Sequence, residues 1–166
     1  VPQSMIEGFE VRYNVDVNHG WGMTETVVGT FNCHLPFMDE LNFEQRMKVR
    51  CKQGRPPFGM EMKIVDNEGN SLPHDGVAFG KLMVRGPRVI ERYYKAKESA
   101  LDKDGWFDTG DVSTIDKYGF MQITDRTKDI IKSGGEWISS VDIENTAVGH
   151  PEVQIAACLG VKHIKW

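Results

Sequence analysis

The sequence predicts an α+β protein: two short helices lead into a small antiparallel sheet or barrel, and a second, smaller α/β unit begins near residue 125. Three features predict it. Helical spacing of apolar residues is confined to short stretches around Met5, Met47 and Val141. Between Met60 and Thr124, short runs of alternating apolar and polar residues are broken by turn signals, the pattern of antiparallel strands. From Asp125 onward, alternating charges, a Gly-Gly pair and a helical stretch replace that pattern.

Taken in order, Pro2 before Met5, Ile6 and Phe9 opens a first helix, because proline's fixed φ suits a first turn where its missing N–H costs nothing. Val15 and Val17 alternate with polar residues and predict a strand running into the loop Gly20–Glu25. Asn42 with Gln45 three residues on forms a capping box, so a helix is expected over about 42–52, with Gly54 stopping it. Met60–Val65, Leu82–Arg85, Val112–Ile115 and Phe120–Ile123 read as strands, the first ending at the turn Asp66-Asn67-Glu68-Gly69. Gly134-Gly135 centres a hairpin, a helix is expected over about 140–149 before Pro151, and Val153–Val161 is an apolar, strand-like run. The expected division is 1–124, a hinge at 125–128, and a small unit from 129 to 166.

Composition narrows the function classes. With 40% hydrophobic and 27% charged residues the chain suits a folded, loop-rich protein rather than a disordered one. A net charge of −4 with scattered basic residues gives no footprint for nucleic acid. The dense basic stretch Arg46, Lys48, Arg50 and Lys52 alternates with Met47, Val49 and Cys51 and reads as the solvated side of a short helix. Cys33, Cys51 and Cys158 lie far apart without a CxxC pair, so no zinc site or disulfide framework is suggested, and reduced thiols point to the cytoplasm. No stretch of roughly 18 apolar residues that could span a membrane occurs. The ends, Val1 without an initiator Met and Trp166 after an apolar run, read as those of a fragment.

Several clusters carry chemistry. In Trp21-Gly22-Met23-Thr24-Glu25 a flat aromatic can stack on a base, a hydroxyl can bond a phosphate oxygen and a carboxylate can hold Mg²⁺; the plainer reading is a turn with a partly buried Trp. In Trp106–Asp111 a carboxylate follows a tight glycine turn and precedes a strand, where it can accept hydrogen bonds from ribose hydroxyls or simply close a hairpin. Asp125-Arg126-Thr127-Lys128-Asp129 is either a charged hinge or a salt-bridged turn. Lys132–Trp137 brings two glycines where backbone can pass close to a ligand, but its spacing is not that of a nucleotide P-loop. Gln53–Gly59 reads as structural punctuation. The five histidines have no nucleophile motif beside them, so a hydrolase triad is not argued.

In this order the clusters resemble the adenylate-forming (AMP-binding) superfamily, and within it the fatty-acyl-CoA synthetases. Gly22-Met23-Thr24-Glu25 is similar to the aromatic-Gly-x-Thr-Glu motif, Leu82–Pro87 to the strand before its tyrosine-rich segment, Trp106–Asp111 to its T-G-D motif, and Asp125–Glu136 to its hinge and Gly-Gly loop. The passage Lys52–Gly59 followed by Ile64-Val65-Asp66 is similar to medium-chain acyl-CoA ligases, so the resemblance covers nearly the whole chain. It implies the C-terminal part of the large domain, with a small antiparallel β-barrel, joined to the start of the small α/β domain. It further implies ATP or AMP, Mg²⁺ and coenzyme A as cofactors and a carboxylic acid, a medium- or long-chain fatty acid, as substrate.

By the same resemblance, Trp21, Gly22, Met23 and Thr24 bind the nucleotide, Trp21 stacking near adenine and Thr24 contacting the adenylate phosphate. Glu25 ligates Mg²⁺, Asp111 binds the ribose hydroxyls with help from Arg126, and Lys128 is the pivot of the small domain. Gly134 and Gly135 line the pantetheine passage, Trp137 lies near CoA, and His19 and Gly20 border the acyl pocket. Trp21 stands where Tyr is more usual and Lys81 where many relatives have Glu. A Ser/Thr/Gly-rich phosphate loop ending in Lys and the C-terminal catalytic Lys of the family are not among these 166 residues. Those groups supply fixed positive charge to the in-line attack on phosphorus, so these residues alone are expected to be inactive. Two alternatives stay open: a non-catalytic nucleotide-binding or packing module, for which uncovered apolar surface favours a homo-oligomer, and another adenylate-forming ligase, of aryl-CoA or luciferase-like type.

Overall fold

The computed structural model describes residues 1–127, 131–133 and 136–161, with backbone alone for Lys132, Ser133, Glu136 and Trp137. Helix α1, Gln3–Tyr13, starts after Pro2 as expected and ends at Asn14, whose left-handed φ of 52° lets the chain reverse. Residues 14–19 are irregular. The strand expected at Val15 and Val17 is absent because this stretch follows the reversal without pairing; strand pairing begins only at β1, Gly20–Trp21, which pairs antiparallel with β2, Thr30–Phe31. A 3-10 turn at Pro36–Glu40 precedes α2, Phe43–Arg50. The Asn42 side chain accepts from Gln45 N–H at 2.9 Å and the Gln45 side chain accepts from Asn42 N–H at 3.2 Å, which is the expected capping box.

The basic stretch on α2 is not simply solvated. Arg50 is buried and its guanidinium pairs with both Glu10 and Asp16, while Arg46 also reaches Glu10. Lys52 pairs with Asp116 at 2.6 Å, and of this stretch Lys48 forms the most exposed pair, with Glu44. These ion pairs bind α2 to α1 and Lys52, just after α2, to the end of β5, adding to the burial of Ile6 on α1 and Met47 on α2.

The centre is a four-stranded antiparallel sheet in the order β3 (Glu61–Val65), β4 (Phe79–Arg85), β5 (Phe107–Ile115), β6 (Met121–Arg126). The expected barrel is corrected to an open sheet: among the described residues β3 and β6 are its edges and do not pair. Ile64, Leu82, Val84, Phe107, Ile115 and Met121 form the core with Met60, each burial contributing about 2 kcal/mol. Beyond β6, β7 (Ile131–Ser133) pairs with β8 (Glu136–Ile138), and α3 (Ser140–Val148) packs on β6. The hairpin and third helix are as expected, whereas residues 153–161 are irregular rather than a strand.

Gly54 ties the β1–β2 ribbon to the sheet. Phe31 and Arg55 exchange backbone hydrogen bonds at 2.9 and 2.8 Å, and Met121 N–H donates to Gly54 O at 2.8 Å. Gly54 has φ 94°, and a Cβ there would sit 1.9 Å from the Phe31 carbonyl carbon, so only glycine permits the approach. This contact brings β1, with Trp21, alongside the β5–β6 end of the sheet.

Candidate functional site

The site begins with an irregularity in β5. Against β4, Lys81 pairs with Val112 and Met83 with Asp108, so Thr109, Gly110 and Asp111 bulge from the ladder. Gly110 supplies the φ of 73° the bulge needs. Thr109 replaces the lost ladder bonds with its side chain: its hydroxyl donates to Leu82 O at 2.9 Å and accepts from Asp111 N–H at 3.1 Å. Asp111 therefore lies inside the strand, rather than before it as the sequence suggested, and the bulge turns it toward a cleft of ≈ 1120 Å³.

Asp111 is buried, yet its carboxylate has two partners. The Trp21 indole N–H donates to Oδ2 at 2.8 Å, and Arg126, its register partner on β6, brings Nε to 3.7 Å of Oδ1. Burial pushes the Asp111 pKa up, and the Trp21 hydrogen bond and the Arg126 charge partly offset it. A buried carboxylate with unused acceptor capacity facing open space is suited to receive hydroxyl donors.

Trp21, Gly22, Met23, Asp111 and Arg126 of the expected site residues all line this cleft. Thr24 and Glu25 lie just beyond, in a turn where Thr26 N–H and Val27 N–H both donate to Met23 O. Glu25 is held from the other side: Tyr93 O–H donates to Oε1 at 2.8 Å, which raises the tyrosine's pKa, and Ile90 N–H donates to Glu25 O at 2.9 Å. Among the described residues no three His, Cys, Asp or Glu side chains cluster as a metal site. A single carboxylate nevertheless fits Mg²⁺, which needs one or two carboxylates when phosphate oxygens supply further ligands.

His19 and Gly20 do not line the cleft. His19 is buried and its ring Nδ1 donates to Cys51 O at 3.1 Å, and burial holds its pKa below the ordinary value. Lys128, Gly134 and Gly135 lie outside the described residues, as does the side chain of Trp137.

Several contributors escaped sequence reasoning. Ser140, Val141, Glu144 and residues 158–160 close the far wall, Glu144 accepting from Cys158 N–H at 2.9 Å. Asp125 was read only as one charge of a run, but it is 5% exposed and hydrogen-bonds Ser140. No local pattern signals this, because the two residues lie fifteen apart. Among the described residues no helix is long and apolar enough to cross a membrane.

Comparison with known proteins adds to this geometry. The profile of the family described as AMP-binding enzyme matches residues 1–94. The chain is 56% identical over 166 residues to a 3-methylmercaptopropionyl-CoA ligase of Ruegeria lacuscaerulensis, covering 99% of this chain and 31% of that protein. It is 50% identical to a medium-chain-fatty-acid–CoA ligase of Ectopseudomonas oleovorans, covering 99% of this chain and 30% of the relative. The chain thus spans about a third of the length of these curated relatives. Among solved structures, o-succinylbenzoate CoA synthetase of Bacillus subtilis with its acyl-adenylate superposes with a TM-score of 0.81 at 30% identity, over 100% of this chain and 32% of that one.

Proposed function

The chain belongs to the AMP-binding enzyme family, and from that premise we propose that it forms the nucleotide-facing part of an ATP-dependent acyl-CoA ligase. The reaction proposed is carboxylic acid plus ATP to acyl-AMP and pyrophosphate, then acyl-AMP plus coenzyme A to acyl-CoA and AMP. One observation carries the reading: Trp21, ninety residues before Asp111, converges on one cleft with Asp111 and its cross-strand partner Arg126. They bring together an aromatic ring, a hydroxyl-accepting carboxylate and a guanidinium, which are the groups a nucleoside monophosphate requires.

In this reading Trp21 offers its ring to adenine over the backbone of Gly22 and Met23, Asp111 takes the ribose hydroxyls, and Arg126 adds positive charge at the rim. Thr24 contacts the adenylate phosphate. Glu25, steadied by Tyr93, would hold Mg²⁺, whose part is to neutralise phosphate charge. Lys128 serves as the pivot between residues 1–124 and the small unit from 129. Gly134, Gly135 and Trp137 face coenzyme A. Gly20 is exposed and can border the acyl group, while the buried His19 would shape that border through the Cys51 carbonyl rather than touch it.

The acid proposed is a medium- or long-chain fatty acid. The 56% identity to a 3-methylmercaptopropionyl-CoA ligase, against 50% to the medium-chain ligase, favours a second reading in which the acid is short and carries a thioether. Carboxylate-dependent ATP–pyrophosphate exchange tests both, using the full-length polypeptide that contains this sequence and a panel of such acids. Exchange that collapses in Asp111→Ala is expected. Absence of exchange with every acid, in a folded protein, would overturn the proposal.

A further inference from the structure

We propose that Trp21 is a positioning residue for ribose recognition: its indole N–H, rather than Arg126, sets the orientation of the Asp111 carboxylate. The inference rests on the nucleotide reading above and concerns an interaction separate from stacking. Trp21 Nε1 to Asp111 Oδ2 is a 2.8 Å hydrogen bond between residues ninety apart in sequence. Arg126 is the weaker partner, because it stands 3.7 Å from Oδ1 and its side chain is 66% exposed, where water screens the attraction.

The indole suits this task because it cannot move. Its ring lies on Gly29, where a Cβ would come within 2.1 Å of two ring carbons, and Gly29 N–H donates to Trp21 O at 3.0 Å. An indole has one donor and no acceptor, so fixing the ring fixes the direction of the hydrogen bond. The carboxylate's backbone is fixed as well, by the Thr109 hydroxyl on Asp111 N–H. With Oδ2 anchored by one donor, the remaining lone pairs are presented to the cleft in one orientation. The base-facing and ribose-facing sides of the cleft are coupled through this bond, and a Tyr or Phe at position 21 keeps a flat face but has no such N–H.

The test separates the two roles of Trp21 by removing the hydroxyls from the ligand. Affinities for AMP and 2′,3′-dideoxy-AMP are measured calorimetrically on the full-length polypeptide for wild type, Trp21→Phe, Asp111→Ala and the double variant. Trp21→Phe is expected to weaken AMP by about tenfold, the scale of a lost hydrogen bond to a charged group. It should change dideoxy-AMP by no more than about twofold, so that the preference for hydroxyls collapses. The double variant should be no worse than Asp111→Ala, which leaves the indole N–H no acceptor. Equal losses for the two nucleotides, or additive losses, would make Trp21 a stacking face only and overturn the proposal.

A second measurement needs no ligand. The Trp21 indole N–H resonance, identified by its loss in Trp21→Phe, is expected to shift in Asp111→Asn. An unmoved resonance overturns the hydrogen bond even where AMP binds well. Wild type that fails to bind AMP while its indole signal still responds to Asp111→Asn would overturn the nucleotide reading and, with it, the positioning role.

Discussion

Ser140 grips Asp125 twice, its backbone N–H donating to Oδ2 at 3.3 Å and its hydroxyl to Oδ1 at 3.2 Å. Arg126 N–H adds a donor at 2.7 Å, and one residue back Ser139 donates its hydroxyl to Thr124 O at 2.8 Å while capping Asp142 N–H. The start of α3 is thus fastened to the end of β6, and any rotation at the proposed hinge has to break this clasp. Asp125→Ala leaves these donors without their acceptor and is expected to cost about 2–3 kcal/mol, Ser140→Ala about 1 kcal/mol. Hydrogen exchange should quicken in α3 more than in β3–β5 of Asp125→Ala. Equal protection in α3 before and after the substitution would show that the clasp does not hold it.

Asp111 predicts a conflict between stability and binding. Burial raises its pKa in the folded protein, so the native state binds more protons than the unfolded state across the range from the ordinary carboxylate value upward. Stability then falls as pH rises through that window, and at neutral pH the ionised carboxylate is a cost. Asp111→Asn removes the charge while keeping an oxygen for the Trp21 N–H, and is expected to stabilise the ligand-free protein at neutral pH. The gain should shrink as pH drops into the carboxylate range, and AMP affinity should fall at the same time. A thermal-melt series in which Asp111→Asn is less stable than wild type at neutral pH would contradict this account.

What was legible in the sequence follows from the range of each interaction. The Asn42–Gln45 capping box was readable because both of its bonds close within three residues. The cleft residues Trp21, Gly22, Met23, Asp111 and Arg126 were readable because each lies in a contiguous cluster with its own chemistry. The bond between Trp21 and Asp111 was not, since no periodicity links positions ninety residues apart. Val15 and Val17 alternate like a strand, but alternation supplies no partner, and the left-handed Asn14 delivers the chain to a stretch without a ladder. The barrel was overread for a related reason: a series of short strands gives their number and turns, while closure depends on whether the edges meet.

Arg50 shows how charge patterning misleads, and it yields a stability prediction. Its side chain is 10% exposed and pairs with Glu10 of α1 and with Asp16, the first of these only 24% exposed. Arg50→Ala strands a part-buried carboxylate and empties the joint between α1 and α2, which is expected to cost about 3 kcal/mol. Arg50→Ala/Glu10→Ala should recover part of that loss, because the unpaired charge is removed too. Chemical denaturation of the four proteins gives the coupling, and strictly additive losses would mean the pair contributes nothing of its own.

Gly29 offers the sharpest structural lever on the cleft, because it acts on Trp21 without touching the nucleotide groups. A Cβ at position 29 would stand 2.1 Å from ring carbons Cε3 and Cζ3 of Trp21 and 3.1 Å from its carbonyl oxygen. Those atoms cannot yield by a small shift, since the ring is also held by its bond to Asp111 and the backbone by Gly29 N–H. Gly29→Ala is therefore expected to swing the indole out and break the Asp111 bond, at a cost of about 1–3 kcal/mol in stability. AMP affinity should fall at least as far as in Trp21→Phe, since the stacking face is displaced along with the N–H. The control is Gly69→Ala, at an exposed turn with nothing within 4 Å of its Cβ, whose φ of 88° makes alanine strained but leaves the cleft alone. If Gly69→Ala and Gly29→Ala lose stability alike but only the second loses AMP, the Trp21 pose is what the site depends on. Full AMP affinity in Gly29→Ala would mean that the indole's seat on Gly29 has no part in binding.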